Sequence, residues 1–191
     1  LACVPDLHPI NRARLHRKAG NTWREQYRYE EALHTYVAAE QALGEAPGGE
    51  DSVIDRAWWQ EEIQISLEVI LVYYWLKKLE ESKSLRPKLQ AIVEQHGSAT
   101  QRANYAQNIN RLEFRRNRQR ATAETVALSR AALAAHQEAG NPDGIRHAQF
   151  EVGFYLLWSG DPMGALEPIQ LAFELVEPTG NTILQARYLT Y

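Results

Sequence analysis

LHRKAGNTWREQYRYEEALHTYVAAEQALG, residues 15–44, is the stretch whose reading decides the fold. Ala19 and Gly20 stand together, Trp23 follows three residues after the glycine, and Ala32, Leu33, Tyr36 and Ala39 recur at helical spacing. Apolar positions three and four apart share one face of a helix, so the pattern predicts two amphipathic helices joined by a short polar turn. Gly20, Ala32 and Ala39 are small, and antiparallel helices approach closely only where one presents little side chain to the other. Trp23 and Tyr36 are expected to fill the gaps beside those contacts.

The same grammar returns near the end of the chain in FEVGFYLLWSGDPMGALEPIQLAFELVEP, residues 150–178. Gly153 precedes Ala165 by twelve residues and Ala165 precedes Ala172 by seven, the intervals that separate Gly20 from Ala32 and Ala32 from Ala39. The two segments are offset by 133 residues, so three steps between them average about 44 each, and two further pairs with extended helices are expected in between. Gly97, Gly140 and Gly180 lie 43 and 40 residues apart and mark the intervening breaks.

Outward from these anchors, helices are predicted over 11–27, 29–43, 53–76, 79–95, 99–116, 121–139, 143–158 and 162–176, with a further one from Thr182. Ala46-Pro47-Gly48-Gly49 is the strongest break, followed by Asp51 and Ser52 as candidate N-caps. The third helix is apolar around most of its circumference and is expected in the middle of the assembly. Pro87 is expected to kink the fourth helix or mark its restart, and Gly97 to cap its end. Residues 1–10, with Pro5 and Pro9, read as a linker or the end of a preceding unit. A start at Leu1 and an unpartnered last helix lead to the expectation of a segment of a longer protein.

Composition narrows the class. Alanine, glutamate, leucine, glutamine and arginine are abundant in the 191 residues, which favours an all-helical chain. A net charge of −3 gives no global pull toward nucleic acid or anionic lipid. Cys3 is the single cysteine, so neither a disulfide framework nor a thiolate metal site can come from this chain alone, and a cytoplasmic setting is expected. Val69 to Leu76 is the longest apolar run, far short of the roughly 20 residues of a membrane span, so no membrane partner is expected.

Tryptophan stands here where a tyrosine is usual, tyrosine where phenylalanine is usual, and Gly44 where the repeat usually ends in proline. With those exchanges residues 15–44 resemble a tetratricopeptide repeat, and residues 150–178 resemble another. The longer period is similar to the helical-repeat arms of large bacterial signalling proteins, the ATP-binding regulators of adenylate or guanylate cyclase-like and LuxR-type architecture. The resemblance implies an all-α superhelix of antiparallel helix pairs, about 11–45, 53–96, 98–139 and 143–178, with a truncated fifth from 182. It further implies a groove lined by the first helix of each pair that binds a peptide, a partner domain or another domain of the same polypeptide. Carried over by position, Arg14, Arg17, Asn21 and Arg24 face that groove from the first pair, and His147, Phe150 and Phe154 from the fourth. Arg17 and Asn21 are one turn apart and could hold a carboxylate. The positions of the second pair aligned with them are Leu67 and Leu71.

Three other constellations stand out. Arg111, Arg115, Arg116, Arg118 and Arg120 form a candidate anion patch that, if functional, would make the chain a nucleic-acid-binding arm. A solvated helix end complementing the C-terminal dipole is the plainer reading. Trp58, Trp59, Tyr73, Tyr74, Trp75 and Trp158 could line a pocket for a small effector or signal peptide, against the default of core packing. The six histidines show no metal-binding spacing, none of the five lysines follows a glycine as a P-loop requires, and no serine sits in a nucleophile elbow. The expectation is therefore a non-enzymatic interaction, sensor or scaffold module without cofactor or metal.

Overall fold

The computed structural model describes residues 8–48 and 52–191; Cys3, Pro5, Gly49 and Asp51, to which the sequence pattern gave roles, lie outside the described residues. Within them the chain is all-helical, with no strand. Among the described residues nine α-helices follow one another: α1 Pro9–Glu25, α2 Tyr29–Leu43, α3 Val53–Leu76, α4 Leu79–His96, α5 Ala99–Arg116, α6 Ala123–Glu138, α7 Pro142–Trp158, α8 Pro162–Val176 and α9 Thr182–Leu189. A single 3-10 turn, Glu177–Thr179, joins the last two. The chain divides into two units, Leu1–Gln101 and Arg102–Tyr191.

One local expectation is corrected and two are narrowed. The first helix begins at Pro9 rather than beyond residue 10, and Ile10 is buried in the core. Proline suits a first helical position, where the N–H it lacks would be unpaired anyway. Helix α4 continues through Pro87 instead of restarting. Pro87 is exposed, so the carbonyl that its ring leaves unpaired can be solvated. Gly97 does end α4, but with extended backbone (φ −70°, ψ 140°); a Cβ there would strike the Val93 carbonyl, so its requirement is steric.

In the first unit α1 packs on α2, and α3 packs on α1, α2 and α4. Its core joins Ile10, Ala13, Ala32, Tyr36, Ala39, Leu43, Ile65, Val69 and Val72, with Trp23 packed against it. Gly20 sits against the fully buried ring of Tyr36, and a Cβ there would overlap that ring. Helix α3 starts on a capping box in which the Ser52 hydroxyl accepts from the Asp55 N–H and the Asp55 carboxylate accepts from the Ser52 N–H.

In the second unit α7 packs on α6 and α8, and α9 on α8. One cluster gathers Phe114, Ala121, Val126, Val152, Tyr155, Leu156 and Ala165, and a second gathers Phe150, Ala172, Val176 and Tyr188. Gly153 repeats the device of Gly20, since a Cβ there would meet Ile169 and the backbone of Ala165. Side chains of Asn141, Asp161 and Asn181 accept from the N–H groups of Gly144, Gly164 and Leu184 and so cap α7, α8 and α9. The short turns before these helices pass through Gly140, Gly160 and Gly180 at φ 60°, 93° and 68°, the left-handed region that glycine enters without strain.

Candidate functional site

The face of α1 nominated by the sequence is built around two glutamates of α3. Arg17 Nε donates to Glu61 Oε1 at 2.6 Å and Arg14 Nε to Glu61 Oε2 at 3.3 Å. Seven residues further along both helices, Arg24 pairs with Glu68, whose other oxygen accepts from Gln64 Nε2 at 3.1 Å. Seven residues is two turns, so each helix presents its pair on one face. Both Glu61 and Glu68 are buried, and a buried carboxylate is tolerated only where cations and donors compensate it. Asn21, between the two arginines, accepts from the Tyr36 hydroxyl through its Oδ1 at 2.7 Å. All four nominated residues of α1 therefore hold internal partners, and a ligand carboxylate at Arg17 would have to displace Glu61. Leu67 is buried inside the unit.

The second unit repeats the arrangement between α5 and α7. Arg111 pairs with Glu151, Gln107 Nε2 donates to the other Glu151 oxygen at 3.0 Å, and the Arg111 guanidinium also reaches Asn108 at 2.8 Å. The offsets Arg17–Glu61, Arg24–Glu68 and Gln107–Glu151 are all 44 residues. Behind this pair lies His136, fully buried, with its Nε2 3.0 Å from Gln107 Oε1 and its Nδ1 3.4 Å from the Asn141 amide nitrogen. Burial, and then the Arg111 charge, lower the His136 pKa; neutral imidazole with its proton on Nε2 satisfies both contacts. Gly144 makes room for that ring, since a Cβ there would collide with it.

Arg111 thus points to Glu151 and does not join the other four arginines of the sequence cluster. Arg116 pairs with Glu113 at 2.7 Å. Arg116, Arg118 and Arg120, with Asn117 and Thr122, border a surface hollow of about 470 Å³ at the α5–α6 turn, where Arg118 and Gln119 take left-handed φ of 54° and 61°.

The nominated residues of α7 belong to an aromatic cluster. Phe150 stacks on Tyr188 with centroids 4.4 Å apart, and Phe154 meets Phe114 at 5.5 Å, Tyr191 at 5.3 Å and Trp158 at 6.0 Å. Trp158 is 43% exposed and Tyr191 46%, so the cluster opens to solvent on one side. The Arg187 guanidinium lies 5.2 Å from the Phe150 ring centroid. His147 completes the group with its Nδ1 3.5 Å from the Tyr188 hydroxyl; burial, then the charges of Arg111, Arg187 and Arg146, push its pKa down to about 4. Tyr188, Tyr191 and Phe114 are absent from the residues singled out in the sequence. Their signal was the four-residue spacing Phe150, Phe154, Trp158 on α7 and the three-residue spacing Tyr188, Tyr191 at α9.

The six nominated aromatics do not converge on one pocket. Trp75 stacks on Tyr29 at 5.7 Å and meets Tyr74 at 5.0 Å, Trp158 belongs to the second unit, and Trp58 and Trp59 line a cavity of the first. That cavity, about 340 Å³ between α2, α3 and α4, also carries Glu40, Glu62 and Lys88. Among the described residues no three His, Cys, Asp or Glu side chains are placed to hold a metal ion, and no helix is long and apolar enough to cross a membrane. No protein-family model matches the chain, and no curated protein matches it.

Proposed function

We propose that the chain is a non-enzymatic interaction module of tetratricopeptide-like helix pairs, an arm of a larger regulator, that binds a peptide segment of a partner. The twelve-and-seven spacing in residues 15–44 and 150–178, and the 44-residue recurrence of the cross-helix polar contacts, support the repeat reading. The observation that carries the binding reading is the open side of the aromatic cluster. Trp158 leaves nearly half its surface in water beside Phe154, and a large aromatic in that state is a typical anchor of a recognition surface. Arg187 adds a cation at its edge, so the fitting occupant is a peptide with an aromatic or aliphatic anchor and a nearby carboxylate.

Selection of a random peptide library on the immobilised chain tests this. Enriched peptides are expected to share an apolar anchor and an acidic residue. Trp158→Ala should weaken their binding at least about tenfold, as loss of an interface anchor does. Failure to enrich any such motif, or equal binding by Trp158→Ala and Tyr191→Ala, would count against the proposal.

A further inference from the structure

We propose that the cavity between α2, α3 and α4 of the first unit is a binding site for an alkylated ammonium group. Trp58 and Trp59 form its apolar wall, with ring centroids 4.8 Å apart and planes at 83°. Both rings are held: Trp58 Nε1 donates to the Leu43 carbonyl at 3.2 Å, and Trp59 stacks on His96 at 4.3 Å. Two carboxylates, Glu40 and Glu62, share the cavity with one cation, Lys88, so the lining carries a net negative charge. Lys88 Nζ is 2.9 Å from Glu62 Oε1 and belongs to a side chain 65% exposed, which leaves it a loosely held partner. The Glu40 carboxylate has no hydrogen-bond or ion-pair partner among the described residues. Burial, and then the charge of Glu62, push its pKa above the usual range against the opposing pull of Lys88, so a further cation beside it would be favoured.

The chemistry of the walls selects the cation. A hard divalent ion takes six or more oxygen ligands, whereas the indoles offer none. An alkylated ammonium is weakly hydrated, can lay its alkyl groups on indole, and keeps its charge for the carboxylates. Such a group occurs on free choline-like molecules and on methylated lysine side chains, and binding of the two can be compared directly.

Calorimetric titration of the intact chain with tetramethylammonium, at ionic strength matched with sodium chloride, reads the site. Saturable binding is expected, with none for the uncharged carbon isostere of choline. Glu40→Gln should weaken it roughly tenfold. Because this change removes a half-buried carboxylate that burial and the Glu62 charge disfavour, the variant should melt no lower than the parent. Lys88→Ala should tighten binding several-fold, since Glu62 then lacks a competing cation. Choline binding more tightly than a trimethyllysine peptide assigns the site to a free ligand, and the reverse order assigns it to a modified side chain; either supports the site. Non-saturable heat, equal binding of the isostere, or affinities unchanged by both substitutions would overturn it.

Discussion

Gly20 and Gly153 show how single positions hold the helix pairs together. Each lies where a Cβ would overlap a neighbouring ring, side chain or backbone, and the Tyr36 ring facing Gly20 is fully buried and has nowhere to move. Gly20→Ala and Gly153→Ala should therefore each destabilise the chain by about 1–3 kcal/mol in urea unfolding, despite alanine's better helix propensity. His147 makes a pH-dependent contribution. Its folded pKa is about 4 against an ordinary 6.5, so between those values the unfolded chain takes up a proton that the folded chain refuses. The contribution is intact above about pH 6.5 and declines as pH falls toward 4. His136 shifts in the same direction. Thermal unfolding at pH 7 and pH 5 should show His147→Gln losing less stability on acidification than the parent, by on the order of 1 kcal/mol. Identical losses would show that the folded imidazole titrates freely.

Between elements, the informative contacts are the arginine–glutamate pairs joining α1 to α3 and α5 to α7. Arg17→Ala strands the buried Glu61 carboxylate with only the partly exposed Arg14 for compensation, and should cost on the order of 2 kcal/mol. Replacing both partners with methionine should recover most of that loss, because removing a pair together avoids the uncompensated charge. A double-mutant cycle by urea unfolding measures this coupling; a cost for Arg17→Ala that the double variant does not recover would show that the pairing is not what Arg17 supplies. The helix ends are largely legible in the sequence, since Gly and Pro clusters punctuate them and Ser52 caps α3 as expected; Thr122, Asn141, Asp161 and Asn181, which cap α6, α7, α8 and α9, were not singled out. The partners of Arg17 and Arg24 are not. An average period of about 44 does not set a register, and aligning Leu67 and Leu71 with Arg17 and Asn21 misses Glu61 by six residues. Buried glutamates on an otherwise apolar helix were the available sign, because they require cations from a neighbour.

For the molecule as a whole, the all-helical class and the packing of helices against their neighbours in sequence follow from the spacing of small and aromatic residues along the chain. The candidate site was only half visible. Phe150 and Phe154, read as groove positions, and Trp158, read as a pocket aromatic, stand in one cluster, but Phe114, Tyr188 and Tyr191 were not singled out, because periodicity within α7 does not say which neighbouring aromatics it meets. The α1 residues, chosen by position alone, hold neighbouring helices together. The proposed peptide-binding function rests on the open aromatic side of the second unit. Its most direct test is the fluorescence anisotropy of a labelled, library-selected peptide titrated with the parent chain and with Trp158→Ala, both verified as folded by circular dichroism. The expected result is at least about tenfold weaker binding by the variant. Equal affinity for the two chains would contradict it.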